Sequence, residues 1–451
     1  MTQLFYKNIA YKSSSEDWFS KLAGLAHPVW LDSSNSERGR YDILSAEPVE
    51  WIALHHNPQA SAKQLQLKAS DFLDRLRTAN ARHQHAVTIE SLPFTGGIIG
   101  QLGYDFGRQL MGVASSKETS TPIAEAGVYE WAIVQDHRLK RCTFVCCLTA
   151  IKAEALLNKL FTSRSLFEPL TLSSELSSNL SRNEYTAALA RIRDYTLDGD
   201  CYQINYSKQY SASYQGHPAD LYLKLRNASS GPFSAYFHGE CSTTLSMSPE
   251  RLVSVKNDEL LTQPIKGTAP RSSIEKEDKA NAESLKGSTK DQAENVMIVD
   301  LLRNDFGKVC TPGSIQVPQL FELQSFSAVH HLVSSISGTL KSRTDALDLL
   351  KAVFPGGSIT GAPKRRAMEI IEELEPHARR VYCGSIFYLS STGQFDSNIL
   401  IRTVFCENDT LFCWGGGGIV LDSTADAEWL EINDKIGNLL TILGDAQAPE
   451  L

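Results

Sequence analysis

Two stretches of the chain carry acidic residues three apart: Asp291 with Glu294 in KDQAENVMIVDLLRND, and Glu428 with Glu431 in DAEWLEINDKIGNLL. On a helix this spacing puts both carboxylates on one face, where like charges repel. Two readings are open. One is a solvated face, with Glu431 and Lys435 forming an ordinary i,i+4 pair. The other is a hard cation. Facing helices would offer several carboxylate oxygens to Mg²⁺, which takes near-octahedral oxygen ligation and bridges to anionic substrates.

Lys266 stands in QPIKGTAPR, between the stiff Pro264-Ile265 and the loose Gly267-Thr268. A lysine in a partly apolar pocket with a lowered pKa is a nucleophile or base, whereas an exposed one is only a charge. Glu250, in SPERL, precedes a strand-turn-strand long enough to return the chain beside it, and a shielded glutamate there would serve as a general acid. CWGGGGIVLDS sets four glycines ahead of a helix start, and FPGGSITGAPKRRAMEI sets a Gly-rich loop and the Thr360 hydroxyl ahead of another, with Pro363 in its first turn. Either would present backbone amides to an anion or be a plain tight turn, and neither matches a nucleotide-binding fingerprint. His330 and His331 adjoin in a strand-like run, so they point to opposite faces and one is expected to be buried. Arg402, in ILIRTVF, is a charge inside a β-branched run; burial there requires a carboxylate partner, which a substrate can supply.

These residues need elements to hold them. Ser181 opens a helix with capping-box spacing that ends at Gly199, and further helices are predicted over Pro218–Arg226, Thr289–Asn304, Thr344–Phe354, Pro363–Glu375 and Thr424–Leu443. Strands are predicted at HHLVSSISGTL, CGSIFYL and NILIRTVF. The mixture means a large α/β or α+β body. The Ser-rich EPLTLSSELSSNLSRNEY reads as a connection, with a soft boundary dividing 1–175 from 176–451.

A chain of 451 residues with 42% hydrophobic and 21% charged residues has ample apolar material for a large core. The net charge of -8, with Lys and Arg scattered, speaks against a nucleic-acid or anionic-membrane surface. Nine cysteines lack CxxC spacing or partnering histidines, so reduced thiols are expected. No apolar run approaches a bilayer span, and the expectation is a soluble, cytoplasmic protein.

The motifs GDCYQIN, SPERL, PIKGT, AENVMIVDLLRND, AVHHLVS, FPGGSITGAPK, IRTV and GGGIVLDS, in that order, resemble the chorismate-utilising enzymes, which include anthranilate, aminodeoxychorismate, isochorismate and salicylate synthases. The resemblance implies one interwoven sandwich of two packed β-sheets with helices outside. It implies that Arg402, Lys435, Tyr388 and the amides of Gly416, Gly417 and Gly418 hold carboxylates of chorismate, with Gly267, Thr268 and Thr360 also lining the site. Glu294, Glu428 and Glu431, with Asp291 further off, match a Mg²⁺ shell; Glu250 matches the general acid and His331 an active-site histidine of open role. The lysine of PIKGT is similar to that of the branch aminating chorismate at C4, for p-aminobenzoate and folate synthesis, whereas the anthranilate branch carries alanine there. Gln203 occupies the place of a water-activating lysine in isochorismate and salicylate synthases, which argues for ammonia as nucleophile. Ammonia is expected from a separate glutamine amidotransferase subunit. Finally, WLDSS resembles a feedback tryptophan-binding stretch, with Leu31, Ser33, Arg40, Tyr41, Pro232 and Phe233 aligned and Asp32 departing from the usual glutamate. That pocket implies structural tryptophan, inhibitory tryptophan or a vestige. The rival readings are an anthranilate-forming enzyme and a non-catalytic tryptophan-binding regulator.

Overall fold

Ser181 caps the helix Arg182–Leu197 through a reciprocal box with Glu184, and Asp345 and Asp348 do the same for Ala346–Val353. The other predicted helices form over Pro218–Ala228, Thr289–Gly307, Lys364–Leu374 and Ala425–Ile442. The computed structural model describes residues 4–444 apart from 35–38, 84–88, 90, 118, 164, 230, 327 and 328. No helix among the described residues is long and apolar enough to cross a membrane. Of the nine cysteines all are buried but Cys241.

The strands form two antiparallel sheets, of thirteen and ten strands among the described residues. In the first, Val29–Asp32 pairs with Phe233–His238, bringing Leu31 opposite Ala235. In the second, Gly97–Leu102 pairs with Ser385–Ser390, Ile99 opposite Tyr388. Each sheet is therefore built from segments before and after residue 175. The Ser-rich stretch is no free connection: Thr171–Leu172 and Ser177–Ser178 lie along the strand Gln203–Gln215. The sheets pack together around one apolar core that takes in Leu245 and Val404 from the first sheet and Val253 and Phe387 from the second.

Two segments change sheets side by side. The chain leaves the first sheet at the end of Ser242–Ser248 and enters the second at Arg251–Lys256; it leaves the second after Phe395–Asn398 and returns to the first at Thr403–Glu407. The crossovers are laced by Ile399 N–H donating to the Glu250 carbonyl and Met247 N–H to that of Arg402, both at 3.0 Å. Arg402 thus differs from the expectation of a strand residue. It sits at the bend with φ of 52°, because ILIRTVF is divided between the crossover and the strand that follows.

A buried ion pair ties these parts to the helix side. Arg379 reaches both Glu375 oxygens at 2.8 and 2.7 Å and donates to the carbonyls of Ile359 (3.1 Å) and Asn205 (2.6 Å). Glu375 Oε1 accepts from the Ser207 amide (2.8 Å) and hydroxyl (2.6 Å). Burial works against the Glu375 carboxylate, but Arg379 outweighs it and holds it below its ordinary range. We predict that Arg379→Ala, which strands a buried carboxylate, costs about 3–5 kcal/mol. The double variant Arg379→Met with Glu375→Leu should recover part of that loss. Urea unfolding checks both, and an unchanged single-variant midpoint would remove the pair from the stability account.

Candidate active site

The site is assembled where the crossovers meet the edge of the second sheet. The hairpin Arg251–Lys256 to Glu259–Thr262 turns at Asn257-Asp258, both with positive φ, and sends the chain back so that Ile265 donates its amide to the Glu250 carboxylate. Glu250 is buried, and its other polar neighbour is the Ser358 hydroxyl at 3.4 Å. Burial pushes its carboxyl up to about 7, against the opposing pull of Lys266. Lys266 follows on the strand Ile265–Pro270. Its burial lowers the ammonium pKa, only partly offset by Glu294, whose Oε2 lies 3.9 Å from Nζ. The two groups have shifted in the directions that favour a protonated acid beside a free amine.

Gly267 permits this strand. Its φ is 79°, and a β-carbon there would meet Leu285 at 2.8 Å and Asp291 Cγ at 3.0 Å. Thr268 pairs with His331 in register, and its hydroxyl bonds His331 Nδ1 at 2.9 Å. His330 points the other way, between Ser325 and Asp278. Both histidines are buried, where one was expected.

Opposite lies the glycine strand Thr410–Ile419 with the helix Ala425–Ile442 against it. Glu428 Oε1 accepts from the Ser423 hydroxyl at 2.6 Å, and Oε2 is buried with no hydrogen-bond partner. A β-carbon at Gly417 would stand 2.9 Å from that oxygen, 3.8 Å from Lys435 Nζ and 3.9 Å from Glu431 Oε1. Lys435 Nζ bonds Glu431 at 2.6 Å and the Gly416 carbonyl at 3.2 Å. Burial raises the carboxyls of Glu294 and Glu428, and repulsion from Glu431 adds to each. Burial also opposes the Glu431 charge, yet Lys435 outweighs it and holds this carboxyl low. Among the described residues no three His, Cys, Asp or Glu side chains are grouped to hold a metal by themselves. The donor set nonetheless fits a divalent cation that completes its shell elsewhere: hard oxygens, mutually repelling, one of them buried without a partner.

Arg402 joins through Glu250; burial lowers its pKa and Glu250 pulls it back. The Thr360 hydroxyl bonds the Gly356 carbonyl at 2.9 Å, and its own carbonyl accepts from the Asn205 amide. Gln203 is fully buried with its side-chain nitrogen against Gly418.

Tyr388 lies elsewhere. It lines a cavity of about 340 Å³ between the sheets, together with Leu31, Ser33, Arg40, Tyr41, Pro232 and Phe233. The phenol that reaches the glycine strand is Tyr382, whose hydroxyl lies 2.8 Å from a β-carbon built at Gly416 and whose ring stacks on Trp414. Both tyrosines occur in VYCGSIFYL; the signal that separates them is the Cys383-Gly384 break, which puts Tyr382 before the strand Ser385–Ser390 and Tyr388 inside it. Sequence reading also missed Ser358 and Lys290, the latter acting on Glu294, Glu428 and Glu431 through its charge. In the cavity, Asp32 is already engaged: Arg226 Nε donates to it at 2.7 Å and Tyr222 at 3.0 Å.

The chain belongs to the chorismate binding enzyme family, whose model matches residues 27–441. It is 40% identical over 442 residues to aminodeoxychorismate synthase component 1 of Escherichia coli, covering 95% of this chain and 96% of the relative. Among solved structures, anthranilate synthase component I from Streptococcus pneumoniae superposes with a TM-score of 0.76 at 31% identity, covering 88% of this chain and 91% of the other. The menaquinone-specific isochorismate synthase of Escherichia coli shares the fold at 17% identity, with a TM-score of 0.74 over 98% of this chain and 94% of the other.

Because the Glu250 carboxyl is raised to about 7, the folded protein holds a proton that the unfolded chain releases at lower pH. Stability contributed by the protonated form is therefore lost as pH rises toward that value. Glu250→Gln, which keeps a neutral side chain at every pH, should gain on wild type by roughly 2–3 kcal/mol between about pH 5 and pH 8 in urea unfolding. A pH-independent gap would show that this carboxyl does not titrate as described.

Proposed function

We propose that the chain aminates chorismate at C4, yielding 4-amino-4-deoxychorismate, as component 1 of an aminodeoxychorismate synthase. The observation that carries this reading is the half-buried Lys266 beside the buried Glu250, with their pKa values drawn toward each other. The 40% identity to a relative of that name supports it.

The side chains divide the work by charge and proton state. Arg402 and the amides of Gly416, Gly417 and Gly418 orient the carboxylates of chorismate, and Tyr382 takes the part assigned from sequence to Tyr388. Lys266, as free amine, attacks C2; the two conjugated ring double bonds shift toward C4, and the C4 hydroxyl leaves as water with the proton of Glu250. Ammonia then forms its bond at C4, both double bonds shift back, and Lys266 departs from C2. The proton lost by the incoming nitrogen returns to Glu250, which restores the acid. Glu294, Glu428 and Glu431, with Asp291 further off, would hold Mg²⁺, which supplies charge neutralisation for the substrate carboxylate among these acids. His331, held by Thr268, braces the strand carrying Lys266. Ammonia comes from a glutamine amidotransferase subunit, in a cytoplasmic complex.

Purified protein given chorismate and ammonium should form 4-amino-4-deoxychorismate, lose activity in excess chelator and regain it with Mg²⁺. Without a nitrogen source, mass spectrometry should find a chorismate-derived adduct, formed with loss of water, on the Lys266 peptide of wild type and not of Lys266→Ala. Release of pyruvate with a fluorescent anthranilate product would overturn the assignment.

We assign tryptophan to the cavity between the sheets. Its walls combine apolar Leu31, Pro232 and Phe233 with Ser33, Arg40 and Tyr41, matching an amphipathic aromatic amino acid. Calorimetric titration should detect tryptophan in wild type and lose at least tenfold in affinity in Phe233→Ala. Equal binding by the two proteins would exclude this pocket.

A further inference from the structure

The hydroxyl of Ser248 closes the joint between the two crossovers. Ser248 is 0% exposed and ends the strand Ser242–Ser248; Pro249, which follows it, has no N–H to give and a fixed φ of its own. The ladder cannot continue through such a residue, and a side chain takes over. Ser248 Oγ donates to the Ile399 carbonyl at 2.6 Å and accepts from the Glu250 amide at 3.2 Å, while the Ile399 amide donates to the Glu250 carbonyl at 3.0 Å. Both backbone groups of Ile399 are thereby engaged by residues 248–250. On the far flank Arg251 fastens the same segment to the facing strand, Nε reaching Asp396 Oδ1 at 2.8 Å and Nη2 reaching Oδ2 at 3.0 Å.

We propose that Ser248 is a positioning residue for the general acid, an inference that rests on the role given to Glu250 in the amination reading above. The Glu250 carboxyl has few anchors of its own. It meets the Ile265 amide and, at 3.4 Å, the Ser358 hydroxyl, which is the outer limit of a hydrogen bond. The carboxyl therefore points where its backbone sends it, and that backbone is held by the Ser248 hydroxyl on one flank and by Arg251 on the other. An acid must keep its proton within hydrogen-bond reach of the departing hydroxyl, and a displacement of about 1 Å can cost on the order of a hundredfold in rate. Arg251 alone would leave the bend free to pivot. Ser248 supplies the second fixed point, and a hydroxyl suits it because one oxygen both donates across to Ile399 and accepts from Glu250. Its effect on the reaction passes entirely through Glu250.

The test is steady-state amination of chorismate with ammonium chloride, no partner subunit, at fixed pH, with Ser248→Ala, Ser248→Cys and Ser248→Thr beside wild type. Ser248→Ala should lower kcat about tenfold or more while the KM for chorismate stays within about twofold, since this joint does not touch the substrate. Ser248→Thr, which keeps a hydroxyl, should regain most of the loss. Ser248→Cys keeps the shape with a weak donor; it should fall between, and it carries the test if the alanine variant does not fold. In a Glu250→Gln background the same alanine change should cost less than about twofold, because a residue acting through the acid has nothing left to position. A kcat within about twofold of wild type in both Ser248→Ala and Ser248→Cys, a parallel rise in chorismate KM, or an equal fall in kcat with and without the Glu250 carboxyl would overturn the positioning role while leaving the amination reading intact. Wild-type turnover by Glu250→Gln would overturn the acid assignment and the inference with it.

Discussion

The Glu375–Arg379 pair is the constraint on which the rest of the arrangement depends. One guanidinium holds the Ile359 carbonyl in the Thr360 loop and the Asn205 carbonyl in the Gln203–Gln215 strand, while its carboxylate partner fixes Ser207. Its plane also lies 4.7 Å from the Tyr104 ring, and it neighbours Tyr382. Three segments far from the pair in sequence, at Tyr104, Asn205–Ser207 and Ile359, are thus referenced to one rigid fork, whose bidentate geometry a lysine could not reproduce. Desolvating both charges is expensive, and the compensation is the full set of hydrogen bonds around them.

The second organising feature is the paired crossover. A sandwich of two sheets has an interior filled with side chains, and a polar site inside it needs backbone that has left the ladders. At Ser248–Arg251 and Asn398–Thr403 two segments do this together, each supplying the other's missing backbone partners. Glu250 and Arg402 stand on these bends. The Glu250 charge offsets part of the shift that burial imposes on Arg402, while Lys266 does the same for Glu250.

Much of this was legible in the sequence, and the exceptions have physical causes. Helix caps and apolar periodicity are local properties, so Arg182–Leu197 and Ala425–Ile442 were placed nearly to their ends. The carboxylate pairs on Thr289–Gly307 and Ala425–Ile442 follow from helical spacing alone. Tyr388 was misplaced because two tyrosines six apart look alike until the break at Cys383 decides which enters the strand. Glu375 and Arg379 lie in a charge-rich EELEPHARR that sequence analysis did not single out; only the tertiary structure reveals that both are sealed from water. Nor can sequence report that the Gln203 amide goes unpartnered, since that depends on what does not approach it.

The run Gly415 to Gly418 has a consequence for how this protein tolerates genetic drift. An added β-carbon would come within 3 Å of a different neighbour at each position, so that something must shift: Ile432 at Gly415, the Tyr206 carbonyl and Tyr382 phenol at Gly416, Glu428 at Gly417, and the Gln203 amide at Gly418. No single compensating change could therefore open the run to larger residues. A mutation to alanine at one position would press on helix packing, at the next on an aromatic hydroxyl, then on an acid, then on an amide. Four consecutive codons are consequently held by four unrelated obstacles, and a lineage exploring new substrates would have to begin its changes in the walls around this strand.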